Sequence, residues 1–277
     1  MRLGKALRAA RREGPLLVPY VLVDRRRTRR LPALVRALRD GGASALELGF
    51  PFSDPIADGP VLEAAGGRAL AAGTDWSDLI ASARAVSSIL PTAVMTYANP
   101  VWSHGLPNAL RDLRAAGVTG LIVPDLSLEE SSPWRRASRA AGVDLVLLAA
   151  PGVAPERIRR IAHDARGFLY LVSRYGTTGA GRGQGEDEMR ALVGAARKGQ
   201  PSLPVLVGFG IRDRATAQAA RRSGADGVVV GTALEERIAG GATDLEISRW
   251  VRTLAGRIGR PSGVRCPEAG SLRSRSR

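Results

Sequence analysis

Short apolar runs alternate with stretches whose apolar residues recur every three or four positions, and this beat continues along most of the chain. The first segment, 2–12, has helical spacing and is closed by Gly14-Pro15; it predicts a lid helix lying across one end of the domain. Apolar, β-prone runs then fall at 16–23, 44–48, 93–97, 120–123, 145–148, 168–172, 204–207 and 227–230. Helical spacing follows each run, at 31–38, 61–72 and 76–90, 106–116, 128–141, 155–165, 185–196, 215–223 and 233–258. Short, almost wholly apolar strands, each followed by an amphipathic helix, are what a parallel sheet covered on both faces requires. Eight such units in a chain of this length predict an α/β fold closed as a (β/α)8 TIM barrel, with the extra N-terminal helix outside the repeat.

One position breaks the apolar pattern. Glu47 stands among leucines in the second run, and the loop after it, Pro51 to Pro60, carries Asp54 and Asp58 between prolines. Burial disfavours the ionised form of a carboxylate and raises its pKa, which suits a proton donor and acceptor near neutral pH. The competing reading is a salt-bridged Glu47, or one on the wet face of an edge strand. In a barrel of this kind the active site lies at the C-terminal ends of the strands. Glu47 falls inside strand two near its end, Asp58, Asn99 and Asp125 follow strands two, three and four, and Tyr170 lies in strand six. Glycine-bearing loops at 176–179, 208–210 and 231–232 follow strands six to eight, where amides at a helix start can meet an anion. A phosphomonoester substrate is the natural expectation.

Composition narrows the alternatives. The net charge of +15 raises a nucleic-acid reading, but all but two of the 41 basic residues are arginine, spread over solvated faces and without interleaved aromatics to stack bases. Neither nucleic acid nor membrane is expected as a partner, since the apolar runs are far shorter than a bilayer span. A domain over 1–258 is expected, followed by an arginine-rich, disordered tail at 259–277 that holds the single cysteine, Cys266. The opening residues lack a signal-peptide core, so a cytoplasmic location is expected. No metal-ligand spacing surrounds His104 or His163, and no dinucleotide fingerprint follows strand one.

Several motifs then become specific together. Leu46-Glu47-Leu48-Gly49 with Pro51-Phe52-Ser53-Asp54-Pro55-Ile56-Ala57-Asp58-Gly59-Pro60 closely resembles the signature of tryptophan synthase alpha chains. The likeness continues in Met95-Thr96-Tyr97-Ala98-Asn99-Pro100, Val123-Pro124-Asp125-Leu126, Tyr170-Leu171-Val172-Ser173-Arg174 and Gly208-Phe209-Gly210-Ile211, in order over about 15–258. The resemblance implies retro-aldol cleavage of indole-3-glycerol phosphate to indole and glyceraldehyde 3-phosphate. It makes Glu47 the general acid and base and Asp58 the residue that stabilises charge on the indole nitrogen. It assigns Tyr20, Met95, Ile122, Tyr170 and Phe209 to the indole pocket or its neighbours, and Gly179, Gly208, Gly210, Gly231 and Thr232 to a phosphate cradle. It implies a lid running from Arg174 to about Gly185, with Thr178 bridging to Asp58 on closure.

Asp54, Asn99 and Asp125 match positions that, by the same resemblance, contact a beta chain in an alpha2beta2 heterotetramer. Pyridoxal phosphate would belong to that partner, with no cofactor and no metal in this chain. Two alternatives stay open: a stand-alone lyase that releases free indole, and an idle subunit that only activates a beta chain. The chain departs from the family where Asp24-Arg25-Arg26-Arg27 replaces a usual Gly-Asp-Pro turn, where Glu63 replaces a common Gln, and where Leu22 replaces a frequent Thr.

Overall fold

Eight parallel strands pair in sequence order, and the last pairs with the first to close a barrel. They are β1 (Leu16–Leu22), β2 (Leu46–Gly49), β3 (Thr92–Met95), β4 (Gly120–Ile122), β5 (Asp144–Ala149), β6 (Leu169–Val172), β7 (Val205–Gly208) and β8 (Gly227–Val230). The computed structural model describes residues 2–172, 182–208 and 210–256. The helices among these are α1 (Leu3–Arg11), α2 (Leu31–Asp40), α3 (Pro60–Ala71), α4 (Trp76–Val86), α5 (Ala98–His104), α6 (Leu106–Ala115), α7 (Ser131–Ala141), α8 (Pro155–Asp164), α9 (Arg182–Gly199), α10 (Arg214–Arg222), α11 (Thr232–Ala239) and α12 (Asp244–Ala255). The expected tail at 259–277 lies outside the described residues.

Local sequence explains where several helices begin. Proline stands in the first turn of α2, α3, α6 and α8, where its missing N–H costs nothing. Asp75, Asp213 and Thr243 cap α4, α10 and α12 through reciprocal side-chain and backbone bonds.

Two apolar layers result. The larger lies between the outer strand faces and the helices, and includes Leu17, Leu48, Val94, Leu121, Leu145 and Val207. The smaller fills the barrel with Leu16, Val18, Tyr20, Ala93, Met95, Ile122, Val146, Phe168, Tyr170, Leu206 and Val229. Period-two alternation sends neighbouring residues to opposite layers.

Helix α1 belongs to the inner layer. Leu3 and Leu7 are fully buried in it, and burial of each is worth about 1.5–3 kcal/mol. The Gly4 amide donates to Asp144 Oδ2 at 2.9 Å, and Arg11 pairs with Asp226 at 3.4 Å. A side chain at Gly120 would strike Leu3. These partners stand at strand starts, so α1 lies across the N-terminal end of the barrel, as its spacing predicted, and away from the site.

The third strand is shorter than its apolar pattern predicts. It ends at Met95, and Tyr97 precedes α5, a helix the periodicity does not announce. Asp125, beyond β4, accepts from the Ala98 amide at 2.9 Å and so satisfies an orphan donor at the start of α5. That partner is 27 residues away in sequence, out of reach of a local reading.

Candidate active site

The ends of β1, β2, β3, β6 and β8 enclose a cavity of about 140 Å³ lined by Tyr20, Glu47, Asp58, Met95, Tyr170 and Gly231, among others. Register brings its wall together: Tyr20 lies beside Glu47, Gly49 beside Met95, and Met95 beside Ile122. Glu47 is 1% exposed, and neither carboxylate oxygen has a hydrogen-bond partner among the described residues. The salt-bridge and edge-strand readings therefore fall. Burial, and then the charge of Asp58, push the Glu47 pKa from the ordinary 4.5 up to about 8.

Asp58 stands on the acidic loop between β2 and α3, partly exposed. Its pKa rises from 3.8 to about 6 through burial and the nearby charge of Glu63. The Gln-to-Glu departure noted in the sequence thus acts on the site electrostatically, an effect that sequence reasoning missed. The loop is held over the barrel by Tyr97, whose hydroxyl accepts from the Ala57 amide at 3.0 Å, and by Phe52 stacked on Tyr97 with ring centres 5.2 Å apart.

Two glycines give the tyrosines their places. A Cβ on Gly49 would overlap the Tyr20 ring and hydroxyl, and one on Gly208 would overlap those of Tyr170. Both inward positions must therefore lack a side chain. Gly49 was visible only as part of a motif; its packing role depends on the neighbouring strand. Burial first, then the site carboxylates, hold both phenols well above their ordinary range, so they stay protonated.

The other expected residues separate into groups. Gly210, Gly231 and Thr232 line the cavity, with Gly231 preceding the first turn of α11. Ile122 lies in the inner layer beside Met95 but not on the lining, and Gly208 serves Tyr170 rather than facing the cavity directly. Arg174, Thr178, Gly179 and Phe209 lie outside the described residues. Arg212, on the β7–α10 connection, and Glu236, in α11, which the sequence did not single out, also line the cavity. Asp54, Asn99 and Asp125 are exposed on the same rim, together with Ile56 at 81% and Trp102 at 57% exposure.

Outside this site, His104 pairs with Asp112 at 2.7 Å and stacks on Trp76. No group of three or more metal-ligating side chains occurs among the described residues, and no helix among them is long and apolar enough to cross a membrane.

A closed parallel barrel with two carboxylates of raised proton affinity at its C-terminal mouth defines the class: a (β/α)8 barrel whose site lies at the strand ends and can hold and release a proton. The family model for the tryptophan synthase alpha chain matches residues 7–253. The tryptophan synthase alpha chain of Methanosarcina mazei is 40% identical over 245 residues, 88% of each chain, and that of Prochlorococcus marinus is 42% identical over 237 residues, 84% of this chain and 85% of its own. Among solved structures, a chain of Mycobacterium tuberculosis tryptophan synthase superposes with a TM-score of 0.81 at 36% identity, covering 93% of this chain and 99% of its own. A chain of the Pyrococcus furiosus tryptophan synthase complex gives 0.75 at 32% identity, covering 87% and 98%. The chain belongs to the tryptophan synthase alpha chain family.

Proposed function

We propose that the chain is a carbon–carbon lyase, the alpha subunit of a tryptophan synthase, which cleaves indole-3-glycerol phosphate to indole and glyceraldehyde 3-phosphate. The observation that carries this reading is Glu47, buried on the cavity wall with neither oxygen hydrogen-bonded among the described residues, with the partly exposed Asp58 lining the same cavity. Burial and the charge of Asp58 raise the proton affinity of Glu47 above that of Asp58, which suits one carboxyl to proton transfer and the other to holding charge.

In this mechanism Glu47 protonates C3 of the indole ring and breaks its aromaticity, and the ring nitrogen takes up positive charge. Asp58 accepts a hydrogen bond from the ring N–H and stabilises that charge. The now anionic Glu47 takes the proton from the hydroxyl on the side-chain carbon attached to C3. The bond between that carbon and C3 breaks, its electron pair returns to the ring, and the hydroxyl carbon becomes the aldehyde. One proton enters at C3 and one leaves the hydroxyl, so Glu47 ends as it began. Tyr20, Met95 and Tyr170 offer an apolar slot for the flat ring, and Ile122 backs Met95. Gly210, Gly231 and Thr232 receive the phosphate beside the first turn of α11, whose amide dipoles favour an anion.

The exposed rim carrying Asp54, Ile56, Asn99, Trp102 and Asp125 is the proposed contact with a beta chain that holds pyridoxal phosphate and consumes the indole. An exposed Ile and Trp beside the mouth support that contact. The deciding experiment is release of indole from indole-3-glycerol phosphate with and without a beta chain. Turnover that rises many-fold with the partner supports the reading; no turnover in either condition refutes it. High turnover alone, unmoved by the partner, assigns a stand-alone lyase instead.

A further inference from the structure

The arginines that replace the usual first turn are not loose. Residues Arg25–Arg27 form one turn of 3-10 helix capped by Asp24, whose carboxylate accepts from the Arg26 backbone amide at 3.0 Å and from its guanidinium at 2.7 Å. Arg25 ties the same turn to the α3–α4 connection, through its amide to Thr74 at 3.2 Å and its guanidinium to the Gly73 carbonyl at 3.1 Å. Arg27 is thereby aimed across to α11, where its Nη1 donates to Glu235 Oε1 at 2.7 Å; Asp24 lies 3.9 Å from its Nε.

Glu235 is an unusual residue for its position. It is 1% exposed in the first turn of the helix that opens at the cavity, and its second oxygen has no hydrogen-bond partner among the described residues. Its amide closes that turn on Gly231, which itself abuts Tyr20. Its charge reaches the site, since it is one of the groups that raise the Tyr20 pKa, after burial, Asp58 and Glu47. A buried carboxylate beside the proposed phosphate cradle would repel the substrate's dianion unless a cation cancels it.

We propose that Arg27 acts on phosphate binding through Glu235: by pairing with it, Arg27 neutralises the buried carboxylate carried by the first turn of α11, the helix that opens at the cavity. The proposal rests on the functional reading above, in which that turn receives the phosphate. It gives the departure in the first loop a purpose matched by Glu235, 208 residues later.

The test titrates inorganic phosphate into the full-length protein by calorimetry and measures cleavage kinetics beside it. Arg27→Leu is expected to weaken phosphate binding and raise KM by about tenfold, with kcat changed by less than about twofold. Glu235→Gln, which leaves Arg27 uncancelled, is expected to tighten phosphate binding about threefold. A merely structural pair would give losses in both variants. The double variant Arg27→Leu, Glu235→Val removes both charges and is expected to bring KM back to within about threefold of the parent, which also decides the matter if the single Arg27 variant fails to fold. Phosphate affinity and KM unmoved by either single change, or a double variant as impaired in KM as Arg27→Leu, overturns the proposal. A parent that binds no phosphate and releases no indole overturns the functional reading instead.

Discussion

Replacing Glu47 with Gln separates the cost of burying the proposed proton donor from its use. In the folded chain Glu47 keeps its proton up to about pH 8, whereas an exposed Glu in the unfolded chain releases it near 4.5. A group whose folded pKa is raised contributes stability that is fully present below the unfolded value and is lost as pH rises through the folded one. Each tenfold difference in proton affinity is worth about 1.4 kcal/mol, so the parent should lose about 5 kcal/mol between pH 4.5 and pH 9 on this account alone. The substituted amide fills the same space without titrating, so the variant lacks that slope. Urea unfolding followed by tryptophan fluorescence at intervals from pH 5 to pH 9 should show Glu47→Gln gaining on the parent steadily up to about pH 8 and levelling off beyond it. The same variant should lose about 10²–10⁴-fold in kcat for indole release. A protein that is more stable and less active is the signature of a buried functional acid; a local packing defect would lower both. Parallel stability curves for the two proteins would refute the burial argument, and unchanged turnover would refute the mechanism.

Three further outcomes follow from the same geometry. Asp58→Asn removes the charge that, after burial, raises the Glu47 pKa, so in the residual activity the basic limb of the pH–rate profile should move below pH 8 while kcat/KM falls about 100-fold; an unmoved limb would mean the two carboxylates are not coupled. Glu63→Gln removes the nearby charge that helps raise Asp58, and the acidic limb near pH 6 should shift to lower pH, with no shift counting against Asp58 as the ionised partner. Gly208→Ala places a methyl group against the Tyr170 ring, and should cost about 1–3 kcal/mol in thermal or urea unfolding while raising KM; a variant as stable as the parent would show that the ring has another place to go.

Much of the fold is legible in the sequence, because its signals are local. A four-residue apolar strand and an amphipathic helix each declare themselves within a dozen positions, and eight repeats leave closure as the economical arrangement. Glu47 is legible for the same reason: a charge interrupting Ala45-Leu46-Leu48 is anomalous before any neighbour is known. The motif resemblance adds Asp58 and the barrel mouth, but not the reason that either works.

What the sequence determined by itself was the alternation that fixes which residues face inward, together with the caps and prolines that start the helices. The tertiary structure alone decided which residues meet. Tyr20 needs Gly49, Tyr170 needs Gly208, Ala98 needs Asp125, and Arg27 needs Glu235, and each pair joins segments separated by at least 27 residues. It also decided that α1 seals the N-terminal end, and that Glu47 has no salt-bridge partner among the described residues. The physical reason is that burial and charge coupling belong to the closed barrel: a carboxylate's proton affinity is set by what surrounds it in space, and parallel strands bring that surrounding from every part of the chain.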